Sequence, residues 1–171
     1  DEYKGEKVPG LREVLELAQG KIKLNIELKP ADNGEELARK TVALIEKYNM
    51  ENDCVITSFS SSALSAAKSC DENIRVGYIL SAAYGDYYDM KNIDFFSVNA
   101  AFLSKRTIDA IHNSGKQVYA WTVNNKDSIK NLTNKGVDGV ITDNPVLARE
   151  TIYSRDTSET IVNMIRYVFN Q

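Results

Sequence analysis

The stretch KLNIELKP, residues 23–30, combines a strand-like apolar pattern with a polar face. Successive side chains of a strand point to opposite faces, so the apolar and polar residues separate. The apolar set is Leu24, Ile26 and Leu28, and the polar set is Asn25, Glu27 and Lys29. One interpretation is that Glu27 and Lys29 form an ion pair that only stabilises the end of the strand. Since the desolvation of a buried ion pair can cost more free energy than its attraction returns, the pattern favours a functional site.

Short apolar segments alternate with amphipathic segments along the rest of the chain. The predicted strands are residues 22–28, 54–59, 74–80, 94–98, 116–123 and 138–142. The predicted helices are residues 11–18, 35–48, 62–69, 105–114 and 126–135, and Gly20, Gly115 and Gly136 are placed as helix C-caps. This alternation predicts a parallel α/β sheet. Six strands are too few for a closed (β/α)8 barrel, so the alternatives are an open doubly wound sheet and a barrel without its first two units.

Composition argues against several functional classes. The 171 residues carry a formal net charge of −3, whereas nucleic-acid-binding proteins usually have a basic surface, so no nucleic-acid partner is expected. No apolar run approaches the roughly 18 residues of a membrane span. Cys54 and Cys70 fit neither a disulfide framework nor a zinc site, and we expect buried or half-buried thiols. His112, the single histidine, lies in a polar helix end, where we expect a surface residue.

A second segment of interest is KQVYAWTVNN, residues 116–125. Tyr119, Trp121 and Val123 share one strand face, which puts Trp121 near the carboxyl end of the strand. Packing as a bulky core residue is the alternative role for Trp121. In DGVITDNP, Asp143 is placed to cap a helix that begins near Pro145, and a ligand contact is the alternative.

Five segments together resemble the glycerophosphodiester phosphodiesterase family in order and spacing. They are VPGLREVLEL, KLNIELK, ITSF, AWTVN and GVDGVITDNP, between Val8 and Pro145. The resemblance implies an incomplete TIM-type (β/α)8 barrel of about six parallel strands with flanking helices over residues 1–152. It also implies hydrolysis of glycerophosphodiesters to glycerol 3-phosphate and an alcohol. Independently of the resemblance, the apolar spacing of Ile161, Met164, Ile165 and Val168 predicts a helix in the C-terminal tail, residues 153–171.

The resemblance assigns roles to four residues. Glu27 matches one of three carboxylates that hold a divalent cation, Ca²⁺ or Mg²⁺, in the family, and hard cations prefer such oxygen ligands. Lys29 matches the family lysine that reaches the phosphate, where a fixed positive charge stabilises the developing negative charge. Trp121 matches the family residue that lines the site around the glycerol or the alcohol, and Phe59 is assigned to the same side of that site.

The sequence also departs from the family pattern. The family has two catalytic histidines and a Glu-x-Asp pair upstream of the matched region, and none of them is present here. We therefore expect a fragment of a phosphodiesterase that holds the cation weakly and is inactive alone. A full-length parent could be cytoplasmic or membrane-associated, and the sequence leaves the location open.

The sequence is also compatible with two other functions and with association of the chain with another chain. A related phosphodiesterase of the lysophospholipase D type would share the barrel and the cation, and a non-catalytic module would keep the scaffold alone. An incomplete barrel would also expose the edges of strands 22–28 and 138–142. We therefore expect self-association through these edges, or association with a missing N-terminal portion.

Overall fold

The computed structural model describes residues 3–82, 85 and 87–154. The described residues form two compact units, one of residues 3–79 and 90–95 and the other of residues 80–82, 85, 87–89 and 96–154. The final helix expected in the tail lies outside the described residues. Within the described ranges, none of the helices is both long enough and apolar enough to span a bilayer.

The first unit alternates helices with neighbouring strands. In chain order it contains α1 (Leu11–Ala18), β1 (Leu24–Leu28), α2 (Gly34–Lys47), β2 (Cys54–Ser58), α3 (Ser61–Cys70) and β3 (Arg75–Leu80). The pairs β1–β2 and β2–β3 are both parallel, and Glu27 lies opposite Thr57. Asn33 and Ser60 cap α2 and α3 by accepting backbone N–H groups, as such residues commonly do.

The second unit continues the alternation. It contains β4 (Phe95–Asn99) from residue 96 onward, α4 (Lys105–Asn113), β5 (Gln117–Trp121), α5 (Lys126–Lys135), β6 (Gly139–Val140) and the helical residues 145–154. The strands β5 and β6 are parallel, with Tyr119 opposite Gly139. The predicted helix C-caps at Gly20, Gly115 and Gly136 all have positive φ, at 70°, 76° and 95°.

Aspartates that precede strands tie the amino ends of neighbouring strands together. In the second unit, Oδ2 of Asp138 accepts the N–H of Val118 at 2.8 Å and lies 2.9 Å from Nε2 of His112. In the first unit, Asp94 accepts the N–H of Val76 at 2.7 Å and pairs with Lys68 at 2.9 Å. His112 is therefore part of a stabilising contact at the amino end of β5, on a side chain that is 36% exposed.

Two sequence-based expectations need correction. The helix at 145–154 is capped by Asn144, whose Oδ1 accepts the N–H of Leu147 at 3.2 Å, and not by Asp143. The reason is that the Asp143 carboxylate accepts a hydrogen bond from the Asn124 side chain instead. Cys54 is buried as expected, but Cys70 is exposed because it ends α3.

Candidate active site at the carboxyl ends of the strands

The polar face predicted for β1 is present, and it ends in an ion pair. Leu28 is buried and Asn25 and Glu27 are exposed. Lys29 Nζ lies 3.5 Å from Glu27 Oε2, and the two side chains are 77% and 34% exposed. An ion pair this open to water contributes little to stability, so both groups can exchange this contact for a ligand.

Strand β2 extends the polar face beside Glu27. Thr57, directly opposite Glu27, is 2% exposed, and its hydroxyl donates to Oδ1 of Asn25 at 3.0 Å. Phe59 follows β2 two residues after Thr57 and is 49% exposed. The structure therefore brings Glu27 and Lys29 into contact, with Asn25 and Thr57 along the same strand faces.

A buried serine fixes the backbone that carries Glu27 and Lys29. The Ser58 hydroxyl, which is fully buried, donates to the carbonyl of Leu28 at 2.8 Å and accepts the N–H of Ser60 at 3.0 Å. Leu28 lies between Glu27 and Lys29 in the chain, so this contact holds the end of β1 against β2. Sequence reasoning missed Ser58; the signal was a polar residue on a strand position that alternation assigns to the buried side.

The described residues do not form a complete cation site. Glu27 supplies one carboxylate, and no group of three or more His, Cys, Asp or Glu side chains in the described part of the chain is arranged to hold a metal ion. Calcium takes six to eight oxygen ligands, and magnesium takes six in a near-octahedral shell. Ligands beyond Glu27 would have to come from water, substrate or protein groups other than these.

In the second unit, Trp121 is the last residue of β5; the sequence predicted a longer strand with Trp121 near its carboxyl end. The indole Nε1 donates to the carbonyl of Ser97 in β4 at 2.9 Å, and the side chain is half-buried. The hydrogen bond satisfies the polar edge of the ring.

The loops after β5 and β6 are joined by one amide side chain. Asn124 donates through Nδ2 to Oδ2 of Asp143 at 2.7 Å. Its Oδ1 accepts the N–H of Asp143 at 2.9 Å and the hydroxyl of Thr142 at 3.0 Å. We call these three contacts the Asn124 clamp. No local sequence pattern shows which loops meet, so these contacts could not be predicted from the sequence.

Solved structures show the class of fold to which this geometry belongs. A glycerophosphodiester phosphodiesterase from Parabacteroides distasonis matches with a TM-score of 0.81 at 22% identity, over 89% of this chain and 67% of that one. A phosphodiesterase from Oleispira antarctica, in complex with the product sn-glycerol-3-phosphate, matches with a TM-score of 0.74 at 27% identity, over 88% of this chain and 64% of that one. The predicted fold class is confirmed: the described part of the chain has six parallel strands with flanking helices, corresponding to part of a TIM-type barrel.

The family follows from the sequence match. Residues 1–147 match the glycerophosphoryl diester phosphodiesterase family, and the chain belongs to that family, as the sequence resemblance implied. A glycerophosphodiester phosphodiesterase from Caldanaerobacter subterraneus subsp. tengcongensis is 26% identical over 97% of this chain. The chain spans 65% of the length of that relative.

Proposed function

We propose that this chain is part of an enzyme that hydrolyses glycerophosphodiesters to sn-glycerol 3-phosphate and an alcohol. The observation that supports this most directly is the position of Glu27 and Lys29 on one face at the carboxyl end of β1, in a chain of this family. In α/β barrels this end of the strands carries the active site. The Oleispira antarctica relative was solved with sn-glycerol-3-phosphate, a product of the proposed reaction.

In this proposal Lys29 binds the phosphoryl group. Its side chain is 77% exposed and its ammonium lies 3.5 Å from its ion-pair partner, so it can turn to an anionic ligand without losing a strong contact. A fixed positive charge beside the phosphoryl oxygens stabilises the charge that builds up as the ester bond breaks. Phe59 and Trp121 provide apolar surfaces for the glycerol or alcohol portion.

Glu27 would contribute one ligand to a divalent cation, calcium or magnesium. Because the described residues do not complete the site, we propose that the chain alone holds the cation weakly. We also propose that the chain alone is inactive, since its one histidine, His112, pairs with Asp138 at the amino end of β5. The acid and base would come from a portion of the family barrel that this chain does not include.

The same reasoning leads to a proposal about association. Among the described residues β1 pairs with β2 alone, so its other edge is open, and Ile22 just before β1 is 66% exposed. Open strand edges readily add another strand. We propose that this edge pairs with a second copy of the chain or with the remaining portion of the family barrel. Size-exclusion chromatography with light scattering tests this, and a stable monomer at micromolar concentration would contradict it.

The decisive experiment compares the 171-residue chain with a completed barrel. The completed protein carries the first two strand–helix units of the Caldanaerobacter subterraneus relative ahead of this chain, and circular dichroism confirms that it folds. We expect release of sn-glycerol 3-phosphate from glycerophosphocholine by the completed protein with calcium or magnesium, and none by the chain alone.

Single substitutions in the completed protein then assign the roles. Glu27→Gln should abolish activity and Lys29→Met should lower kcat/KM by about 100-fold, the scale of losing one charge-stabilising group. His112→Ala is the control and should retain activity. Full activity of Glu27→Gln would refute the proposed site. A folded but inactive completed protein would favour a non-catalytic module, and hydrolysis of lysophospholipids alone would favour the lysophospholipase D type.

A further inference from the structure

We propose that Asn124 and Asp143 are positioning residues that hold Trp121 in the orientation needed for substrate. The inference rests on the proposed function, in which Trp121 contacts the glycerol or alcohol portion. Neither Asn124 nor Asp143 needs to touch substrate for this role. Their effect would be transmitted through the backbone that joins them to Trp121.

The geometry of the Asn124 clamp indicates a dedicated contact. Its three hydrogen bonds, of 2.7, 2.9 and 3.0 Å, use both ends of one amide and reach two consecutive residues, Thr142 and Asp143. Asn124 and Asp143 are both exposed, where water could satisfy the same groups. Three simultaneous contacts therefore restrict the two loops beyond what their backbone hydrogen bonds already do, because water in place of the clamp would leave the side chains and the loop ends free to move.

The clamp continues the hydrogen bonds that flank Trp121. The N–H of Ile141 donates to the carbonyl of Ala120 at 2.8 Å, and the N–H of Val123 donates to the carbonyl of Ile141 at 2.9 Å. Trp121 thus lies between two backbone contacts to a single residue of the neighbouring segment. The Asn124 clamp contacts the residues that follow Ile141, namely Thr142 and Asp143. The indole N–H of Trp121 makes a separate hydrogen bond to the carbonyl of Ser97.

Helix capping does not explain the clamp. The caps are made by the next residue in each loop: Asn125 accepts the N–H of Ser128 at 2.8 Å, and Asn144 accepts the N–H of Leu147 at 3.2 Å. Asn124 and Asp143 are therefore not needed to cap the amino ends of these helices. Asn125→Ala provides a matched control, since it removes a cap in the same loop and leaves the three clamp contacts in place.

The test uses the fluorescence of Trp121, the single tryptophan of the chain. Asn124→Asp places two carboxylates where donor and acceptor are now 2.7 Å apart, and their repulsion should open the clamp. We expect a shifted emission maximum and about twofold stronger quenching by acrylamide. The double variant Asn124→Asp/Asp143→Asn restores a complementary amide and carboxylate, and both signals should return to their original values. Asn125→Ala should lower the melting temperature without changing the emission.

Kinetics of the completed barrel provide the second readout. Asn124→Asp should raise KM for glycerophosphocholine about tenfold with a smaller change in kcat, and the double variant should recover KM. Unchanged emission and quenching in Asn124→Asp, or a double variant that behaves like the single one, would overturn the inference. If the completed barrel is inactive, the proposed function fails and the substrate role of the clamp fails with it. The fluorescence of the 171-residue chain then still decides whether the clamp holds Trp121.

Discussion

Replacement of Gly77 by alanine tests the packing beneath the polar face of the first unit. Gly77 lies opposite Thr57 in the β2–β3 register, and a Cβ atom there would come within 2.1 Å of Cε2 of Phe95. The Phe95 ring is fully buried, and it would have to withdraw by about 1.3 Å to reach the 3.4 Å of an ordinary contact. Such overpacking costs about 1–3 kcal/mol, and we expect the upper half of that range because no part of the ring reaches solvent.

A smaller effect acts in the opposite direction. Alanine lowers the conformational entropy of the unfolded chain and stabilises the fold by about 0.4–1 kcal/mol at a permitted backbone conformation. The net loss in the free energy of unfolding should therefore be about 2 kcal/mol, or about 4–8 °C in melting temperature for a chain of this length. Urea denaturation followed by circular dichroism measures it.

Gly139→Ala is the matched control for this prediction. Its added Cβ would lie 3.2 Å from Cδ1 of Tyr119, a half-exposed ring that can shift by a few tenths of an ångström. The loss should stay below about 0.5 kcal/mol. The double variant Gly77→Ala/Phe95→Leu should recover part of the stability that Gly77→Ala loses. Equal stability of the two single variants, or no recovery in the double variant, would refute the steric explanation.

Four further predictions concern the cysteines and the contact between His112 and Asp138. Burial raises the pKa of the Cys54 thiol to about 11, so only about 0.1% of this thiol is thiolate at pH 8. Iodoacetamide should therefore modify the exposed Cys70 and leave Cys54 unmodified, which mass spectrometry measures. The unfolded thiol titrates near pH 9, so the unfolded state loses its proton first and the free energy of unfolding should fall between about pH 9 and 11. Cys54→Ala should reduce this fall, as measured by urea titrations at several pH values. Equal pH profiles of the Cys54→Ala variant and the original chain would contradict the prediction. Asp138→Ala leaves the buried N–H of Val118 without its side-chain acceptor and should cost about 1–3 kcal/mol in urea denaturation. His112→Ala should cost less than about 1 kcal/mol because the His112–Asp138 pair is partly exposed, and an equal loss in both variants would contradict this assignment.

Sequence patterns predict the identity of the elements well and their ends less well. The apolar spacing of α1 predicts residues 11–18, and the helix spans Leu11–Ala18. Strand β1 begins at Leu24 rather than at Ile22, because its partner β2 begins at Cys54 and Leu24 is the residue in register with it. Where a strand begins depends on its neighbour, which local composition does not encode.

In the candidate site, too, features set by the local sequence pattern are predictable and features set by contacts between distant segments are not. Strand alternation alone predicts that Glu27 and Lys29 share a face, and their ion pair agrees with it. The choice between Asp143 and Asn144 as helix cap was not predictable, because both residue types cap helices equally well. Asn124 decides it by engaging Asp143, and that contact joins loops 19 residues apart in the chain.

The two ends of the strands use charged groups differently, and this bears on how variants should be interpreted. At the amino end of β5, Asp138 accepts a backbone N–H and contacts His112, so its removal leaves a buried donor without its partner. At the carboxyl end of β1, the salt-bridge partner of Glu27 is Lys29, a side chain that is 77% exposed. Removal of the Glu27 charge should therefore hardly change the free energy of unfolding, since an exposed ion pair contributes at most about 1 kcal/mol. A loss of activity in Glu27→Gln at unchanged stability would then reflect the chemistry of the site, whereas a loss in Asp138→Ala would reflect the fold.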